Sequence, residues 1–507
     1  MLPWTDLWRP RAASFEPTTS ETPRLNATRT DGSHFNGVHM RLLLVRPPAR
    51  NTIETEVPKA VEAENTSYPP LALMALATWL RAHTSHDVSI LDAQLEQLEP
   101  AEITQRIQAF GAEVVGITTF TVQLVDVMDT VRAAQRAACV QHVVLGGPHC
   151  NDFPAEAHAL PGVSAVVRGE GQRPLGALLD AWQAGQAPTG IPGVMVGPDD
   201  PVPEHVVLSN DLDAYPVPDR TLVDYRRYSG LLGTGGLFTT VVTSRGCPHQ
   251  CTFCNTPRLK FHSASPDRIC DELEACIALD IRDIYFVDDT FNVTNARVHK
   301  LCDEIIRRRI DLTWTVRMRV NGVDRSLIEK MKAAGCTRIQ FGVEQGTDEG
   351  LQRLRKGVTI DEIEKAFELC RQLGVGTVAY FMIGTPTERT RLDVLRTIRY
   401  AIRLRPDFVM FNILTPFPGT RLFDEGMEEG VLQLEPWIAF MRDPRPDFRA
   451  QVWDQHFDRD ELRELLAGAY RSFYWRPRFV VGQLRQLRDP RDLLRKAKAG
   501  LRLLTDR

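Results

Sequence analysis

Two series of apolar runs, each alternating with amphipathic stretches, account for most of the chain between residues 40 and 420. The first series begins with RLLLVRPP at 41–48, a short apolar run closed by prolines, which predicts a buried strand. LALMALATWLRAH at 71–83 is long enough for a helix, and VSILDA at 88–93 predicts the second strand. VVGITTF at 114–120, a helical stretch at 125–138, HVVLGG at 142–147, SAVVRGEG at 164–171 and a helix at 174–185 complete the series. Strands that are apolar throughout and alternate with helices predict a parallel sheet covered on both faces. Glycines follow these strands at Gly146, Gly147, Gly169 and Gly171. Those are carboxyl ends, where an open α/β sheet binds its ligand.

Residues 186–225 are rich in Pro, Gly and Asp and predict a small hairpin followed by a linker. A second alternating series follows, with strands at 237–246, 283–289, 312–320, 338–346, 376–384 and 407–414. Helical patterns at 266–280, 295–309, 324–335, 359–374 and 389–404 lie between them. Six βα repeats are too few for a closed eight-stranded barrel and predict an open, partial (β/α)6 one. The expected division is an arm at 1–39, an α/β domain at 40–205, a linker at 206–232, the partial barrel at 233–420 and a helical C-terminal region at 421–507. The last segment, RPRFVVGQLRQLRDPRDLLRKAKAGLRLL, is basic and amphipathic. It reads first as a solvated helix over the barrel, with a membrane surface or an acidic partner as alternatives.

Composition narrows the class. A 507-residue chain with 43% hydrophobic and 25% charged residues is ordinary for a globular protein of two or three domains. The net charge of -4 gives no global basic field for nucleic acid. The apolar run Leu71 to Leu80 is too short to cross a bilayer, which takes about 20 residues. The N-terminus has no apolar core and no small-residue cleavage site, so a cytoplasmic setting is expected. In that reducing compartment the ten cysteines are expected as thiols or metal ligands.

Three of them stand apart. SRGCPHQCTFCNTP at 244–257 follows directly from the first barrel strand and places Cys247, Cys251 and Cys254 at Cys-x3-Cys-x2-Cys. A four-iron cluster takes one ligand per iron, so three thiolates leave one iron open to an amine and a carboxylate of a substrate. Zinc would want four ligands, and no companion pair follows; His249 is the one local candidate for a fourth. The other seven cysteines read as small core hydrophobes, with Cys150 the one nearest a strand end.

The spacing, with Phe253 just before the third cysteine, resembles the signature of the radical S-adenosylmethionine (SAM) superfamily. FVDDTF (286–291), GVEQG (342–346), IGTPTE (383–388) and TPFPGT (415–420) resemble members that carry an N-terminal cobalamin-binding domain. GGPH (146–149), VVRGEG (166–171) and YPPLAL (68–73) look like pieces of that domain. The resemblance implies a doubly wound, flavodoxin-like cobalamin domain ahead of the barrel. It implies a [4Fe–4S] cluster on the three cysteines and SAM cradled by strand-end residues, among them Asp288, Asp289, Glu344 and Gly384. It also implies cobalamin at Gly146, Gly147, His149, Gly169 and Gly171. No Asp-x-His-x-x-Gly run follows the first strand, so cobalt is expected without a histidine from that segment, and His149 is the alternative ligand. Arg317 and Arg319 are expected to bind a carboxylate or to pair with acidic neighbours. Glycine motifs for a dinucleotide or a P-loop are absent.

The activity so implied is methyl transfer: one SAM supplies the corrinoid's methyl group and a second is cleaved to a radical that activates an unreactive carbon. A cobalamin-dependent cyclase, rearrangement or hydroxylation enzyme uses the same parts, and a non-catalytic cobalamin or redox sensor is the reading from another class. The partners so implied are a small-molecule, natural-product or lipid-like substrate and an electron donor such as flavodoxin or ferredoxin.

Overall fold

A computed structural model describes residues 39–53, 68–197, 200, 209, 211–230, 236–256, 260–477 and 479. Most of the N-terminal arm and of the basic C-terminal segment lies outside them, as do residues 206–208, 210, 231 and 232 of the predicted linker. The first sheet contains β1 (Arg41–Arg46), β2 (Asp87–Asp92), β3 (Val114–Thr118), β4 (His142–Gly146), β5 (Ala165–Val167) and β6 (Val194–Met195), in the order β2-β1-β3-β4-β5-β6. The first five are parallel. β6 is an antiparallel edge strand on β5, where the sequence predicted a hairpin of its own.

The helices of this half are α1 (Leu71–His83), α2 (Ala93–Glu96), α3 (Pro100–Phe110), α4 (Leu124–Gln135), α5 (Pro148–Asp152), α6 (Pro154–His158) and α7 (Gln172–Gln183). α1 buries Leu73, Met74, Ala77 and Leu80, one stripe of helical period. α1 and α7 cover the sheet face that carries Leu42 and Leu44, and α3 and α4 cover the face that carries Leu43 and Val45. Helix α3 was missed in the sequence, although its signals are local. Pro100 opens it, Glu99 and Glu102 form a reciprocal capping box, Ile103 and Ile107 face the core, and Gly111 ends it at φ 69°.

The second sheet begins with β7 (Phe238–Val241); β8 (Ser244–Arg245) and β9 (His262–Ser263) then pair as a small antiparallel ribbon around the cysteine loop. Next come α8 (Pro266–Ala278), β10 (Asp283–Phe286), α9 (Asn295–Arg307), β11 (Thr313–Met318), α10 (Arg325–Ala333) and β12 (Cys336–Glu344). α11 (Asp348–Arg353), α12 (Ile360–Leu373), β13 (Gly376–Ile383), α13 (Arg391–Leu404) and β14 (Phe408–Ile413) complete the repeats. All neighbours in the order β14-β13-β12-β11-β10-β7 are parallel, and β7 does not pair with β14, so the barrel is open.

The C-terminal region divides between the two sheets. α14 (Arg421–Glu428) and α15 (Glu435–Arg442) contribute Leu422, Phe423, Trp437 and Met441 to the core that lies against the first sheet. The sequence predicts helices here and does not say which sheet they cover. α16 (Arg459–Tyr474) packs on β14 and seals its open edge. The Tyr470 hydroxyl donates to Phe411 O at 2.9 Å and accepts from Phe411 N at 3.1 Å. The Tyr474 hydroxyl does the same for Val409, at 2.7 and 3.1 Å. Four residues of helix rise about 6 Å and two of strand about 6.6 Å, so one tyrosine per turn meets every outward-pointing peptide group. An edge strand's unpaired N–H and C=O groups are thereby satisfied without another strand.

Replacing Tyr470 by Phe should therefore cost about 1–3 kcal/mol, because two buried backbone groups lose their partner while the ring still fits. Urea unfolding measures this, and a midpoint equal to the unmodified protein's contradicts the capping role.

Candidate active site

The cysteine loop is irregular backbone inside the protein, so its polar groups need partners. The end of β10 supplies them. Asp288 is buried, and its Oδ1 accepts from Thr243 N at 2.6 Å and Ser244 N at 3.2 Å. Its Oδ2 accepts from Ser244 Oγ at 2.7 Å and from Thr243 Oγ1. Arg297 on α9 lies 3.6 Å from the same carboxylate and donates to Thr243 O at 3.0 Å. Burial pushes the Asp288 pKa up, opposed by Arg297 and by the donors of Thr243 and Ser244. The exposed Asp289 accepts from Gly246 N at 2.9 Å, and Thr290 Oγ1 stands 3.0 Å from Cys247 Sγ. Phe291 packs on Phe286 and Trp314 in the core. Every residue from Asp288 to Phe291 thus has a task in holding the loop.

The rest of the loop is clasped from the other side. Thr252 N donates to Leu354 O at 3.0 Å, and Leu422 N donates to Thr252 O at 2.8 Å. Cys251 is buried, and Cys247 and Cys254 are half-buried. Burial raises the Cys254 thiol's pKa, and the other two sulfurs are close enough to raise it further. One cation reaches the sulfurs: Arg319 donates to Cys251 Sγ at 3.3 Å; Lys356 lies 5.9 Å from the Phe253 ring centre. Among the described residues no three His, Cys, Asp or Glu side chains close round a single ion. A cubane takes one thiolate per iron and asks for no such convergence. The donor set fits a cluster with one open iron. His249 is half-buried, and burial with the nearby Arg319 and Lys356 charges brings its pKa down to about 4.

Glu344 ends β12 at a bulge, with φ 70°, a conformation that costs a non-glycine residue about 1–3 kcal/mol. Its carboxylate is held 2.8 Å from Lys356 Nζ. A Cβ at Gly342 would stand 2.4 Å from Glu344 Oε1 and 2.8 Å from Lys356 Nζ, so the glycine makes room for the pair. Lys356 was not singled out in the sequence; it sits in a short turn between two helices and meets Glu344 only through the fold. Among the described residues Arg319 pairs with no acid: it binds Asn321 Oδ1 at 2.9 Å, Lys356 O and the Cys251 sulfur. Gly384 has φ 72°, and a Cβ there would lie 2.8 Å from Leu462.

In the first sheet, Gly147 has φ 113° and would press a Cβ to 3.0 Å from Thr119 O, so the backbone requires it. A Cβ at Gly146 or Gly171 would meet Val167 O or Leu76 at 3.7 Å, an ordinary contact, so neither glycine is required by crowding. Gly169 has φ 75° and its N donates to Asn151 Oδ1 at 2.7 Å. His149 is fully buried: Nδ1 lies 3.0 Å from Thr121 Oγ1, Nε2 has no partner among the described residues, and burial brings its pKa down to about 4. Cys150 is buried beside it, with its thiol pushed up to about 12, an inert core residue.

Two contacts carry these strand ends to the cysteine loop. Glu170, which follows β5, forms an ion pair with Arg245, two residues before Cys247, and accepts from Tyr215 OH at 2.6 Å. Asn255 Nδ2, next to Cys254, donates to Asp152 of α5 at 2.9 Å. Residues 241–401 match the model of the radical SAM superfamily, and residues 61–179 match that of the B12 binding domain. An uncharacterized methyltransferase of Pyrococcus horikoshii is 32% identical over 453 residues, 87% of this chain and 94% of that one. An anaerobic magnesium-protoporphyrin IX monomethyl ester cyclase of Rubrivivax gelatinosus is 25% identical over 435 residues, 82% and 75% of the two chains. The solved fold of a radical SAM methyltransferase from Kitasatospora setae, with cobalamin and a [4Fe–4S] cluster bound, superimposes with a TM-score of 0.64 at 22% identity, over 78% of this chain and 79% of that one.

Asp288→Asn should leave an amide donor facing the hydroxyl and amide donors of Thr243 and Ser244, at a cost of about 1–3 kcal/mol, and should loosen the loop so that bound iron falls. Iron analysis and urea unfolding check both, and full iron at unchanged stability contradicts the role given to Asp288. With both halves of the sequence matched and a relative aligned over nearly its whole length, the chain belongs to the family of cobalamin-binding radical SAM enzymes, whose cofactors are a [4Fe–4S] cluster, SAM and cobalamin.

Proposed function

We propose that this enzyme transfers a methyl group to an unactivated carbon of a small organic substrate. The observation that carries the reading is the pair of contacts, Glu170–Arg245 and Asp152–Asn255, that bring the strand ends of the B12-binding half to both flanks of the cysteine loop. When bound, the cluster supplies the electron that cleaves SAM, and the corrinoid supplies the methyl group. Cys247, Cys251 and Cys254 would hold the cluster, with Arg319 donating to the Cys251 thiolate. Glu344, fixed by Lys356 in a strained conformation, is preorganised to meet the amine or ribose of SAM. Gly146 and Gly171, small residues after β4 and β5, would lie where a flat ring approaches the sheet edge. His149 is held by Thr121 and enclosed by the core, which supports a packing role over one at the metal.

The name of the Pyrococcus relative supports methyl transfer; that of the Rubrivivax relative favours ring closure as the second reading. All ten cysteines are free thiols, which suits a reducing cytoplasm and a donor such as flavodoxin or ferredoxin. Among the described residues no helix is long and apolar enough to cross a membrane.

Anaerobic purification with cobalamin should give about four irons per chain, lost in Cys254→Ala, together with one corrinoid. SAM labelled in its methyl group should then pass the label to a product carbon. Iron without corrinoid overturns the reading, and an unlabelled cyclised product replaces methyl transfer by the second one.

A further inference from the structure

The interior of the open barrel holds a polar cluster that neither the cysteine loop nor the sheet's own packing uses. Arg317 sits in the penultimate position of the central strand β11 and is exposed there, while the three residues before it are buried. Side chains two apart share a face, and Arg319 on that face reaches the Cys251 sulfur, so Arg317 looks into the same interior about 7 Å from it along the chain. Gln340 of β12 is its direct register partner. Tyr285 of β10 donates to Gln340 Oε1 at 3.0 Å, although β11 lies between their strands. Two strand spacings come to almost 10 Å, so these side chains can meet only on the concave face. Tyr380 of β13 also donates to Gln340 Oε1, at 2.5 Å, and Arg317 lies 5.6 Å from its ring centre. The exposed Tyr68, from the B12-binding half, packs on Tyr285 in a tilted arrangement with ring centres 5.7 Å apart and closes the group from that side.

The donor balance of this cluster is one-sided. Both tyrosine protons are spent on Gln340 Oε1, which turns the amide's NH2 outward, and that nitrogen has no partner among the described residues. Arg317 makes no ion pair among them; the carboxylate that acts on it, Asp289, is already held by Gly246 N. A guanidinium in solvent contact but enclosed by aromatic rings is a receptor for an anion, and the rings offer flat apolar surface beside it.

We infer that Arg317 and Gln340 form a substrate subsite for a carboxylate or similar oxyanion attached to a planar apolar body, which lies against Tyr68 and Tyr380, with the buried Tyr285 behind them. The assignment rests on the enzyme reading above, because it treats the barrel interior as the substrate's place. It also sets orientation: the anion anchors at β11–β12, and the carbon to be modified extends toward the cysteine loop.

The test titrates the cofactor-loaded protein with 2-naphthoate and with 2-naphthamide, which share a ring system and differ in charge. The acid should bind at least tenfold more tightly than the amide. Arg317→Gln should abolish that preference, and Arg317→Lys should retain part of it, both with circular dichroism matching the unmodified protein. Equal binding of acid and amide, an unaltered preference in Arg317→Gln, or displacement of naphthoate by SAM overturns the subsite, the last by making Arg317 a SAM contact. Iron and corrinoid content measured on the same samples separates the two readings. Protein that prefers the acid but takes up no corrinoid keeps the anion site and loses the methyl-transfer reading.

Discussion

A buried carboxylate with four donors around it is the constraint on which the site depends. Asp288 can accept those bonds only if the chain leaving β7 turns sharply enough to present two consecutive backbone N–H groups and two hydroxyls to one side chain. That turn launches the cysteine loop. Arg297 offsets the cost of burying the charge, and its additional bonds to Thr243 tie the turn to α9. Asp289 and Thr290 extend the same hold to Gly246 and Cys247. A loop whose sulfurs must meet a rigid inorganic cube gains from being fixed before the metal arrives, since ordering it afterwards would draw on binding energy.

The second organising feature is the way the two sheets face one another. Parallel sheets put their ligand loops at the carboxyl ends of their strands. Here Glu170 after β5 and Asp152 after β4 reach the two sides of the loop after β7. The C-terminal helices reinforce the junction, since α14 clasps Thr252 through Leu422 N while its own apolar residues enter the core against the first sheet. The open barrel is finished on its far edge by the two tyrosines of α16.

Much of this was legible in the sequence wherever the signal is local. The helix read at 71–83 has those bounds in the structure, and the six barrel strands lie where apolar runs placed them. The cysteine spacing marked the loop after β7 as the candidate metal site because ligand geometry demands short intervals. What escaped depends on partners distant in the chain. Lys356 is an unremarkable turn residue until β12 brings Glu344 to it, and Trp437 and Met441 read as tail residues until they pack against the first sheet. β6 read as half of a hairpin because its two residues give no sign that β5 lies beside it. Asp288 was read as a residue near SAM; its four bonds to the turn after β7 are invisible in a linear motif. Helix α3 is the longest local miss, since proline, capping box and closing glycine were all present, and the short α2, α5, α6 and α11 escaped as well.

The central claim is that the B12-binding strand ends and the cysteine loop frame one common cavity. Magnetic coupling between the two metal centres tests it most directly, by electron paramagnetic resonance of the loaded protein before and after cluster reduction. The account predicts that the cob(II)alamin signal broadens and relaxes faster once the cluster is paramagnetic. Two signals that simply add, with the cobalt resonance unchanged by reduction of the cluster, would contradict it.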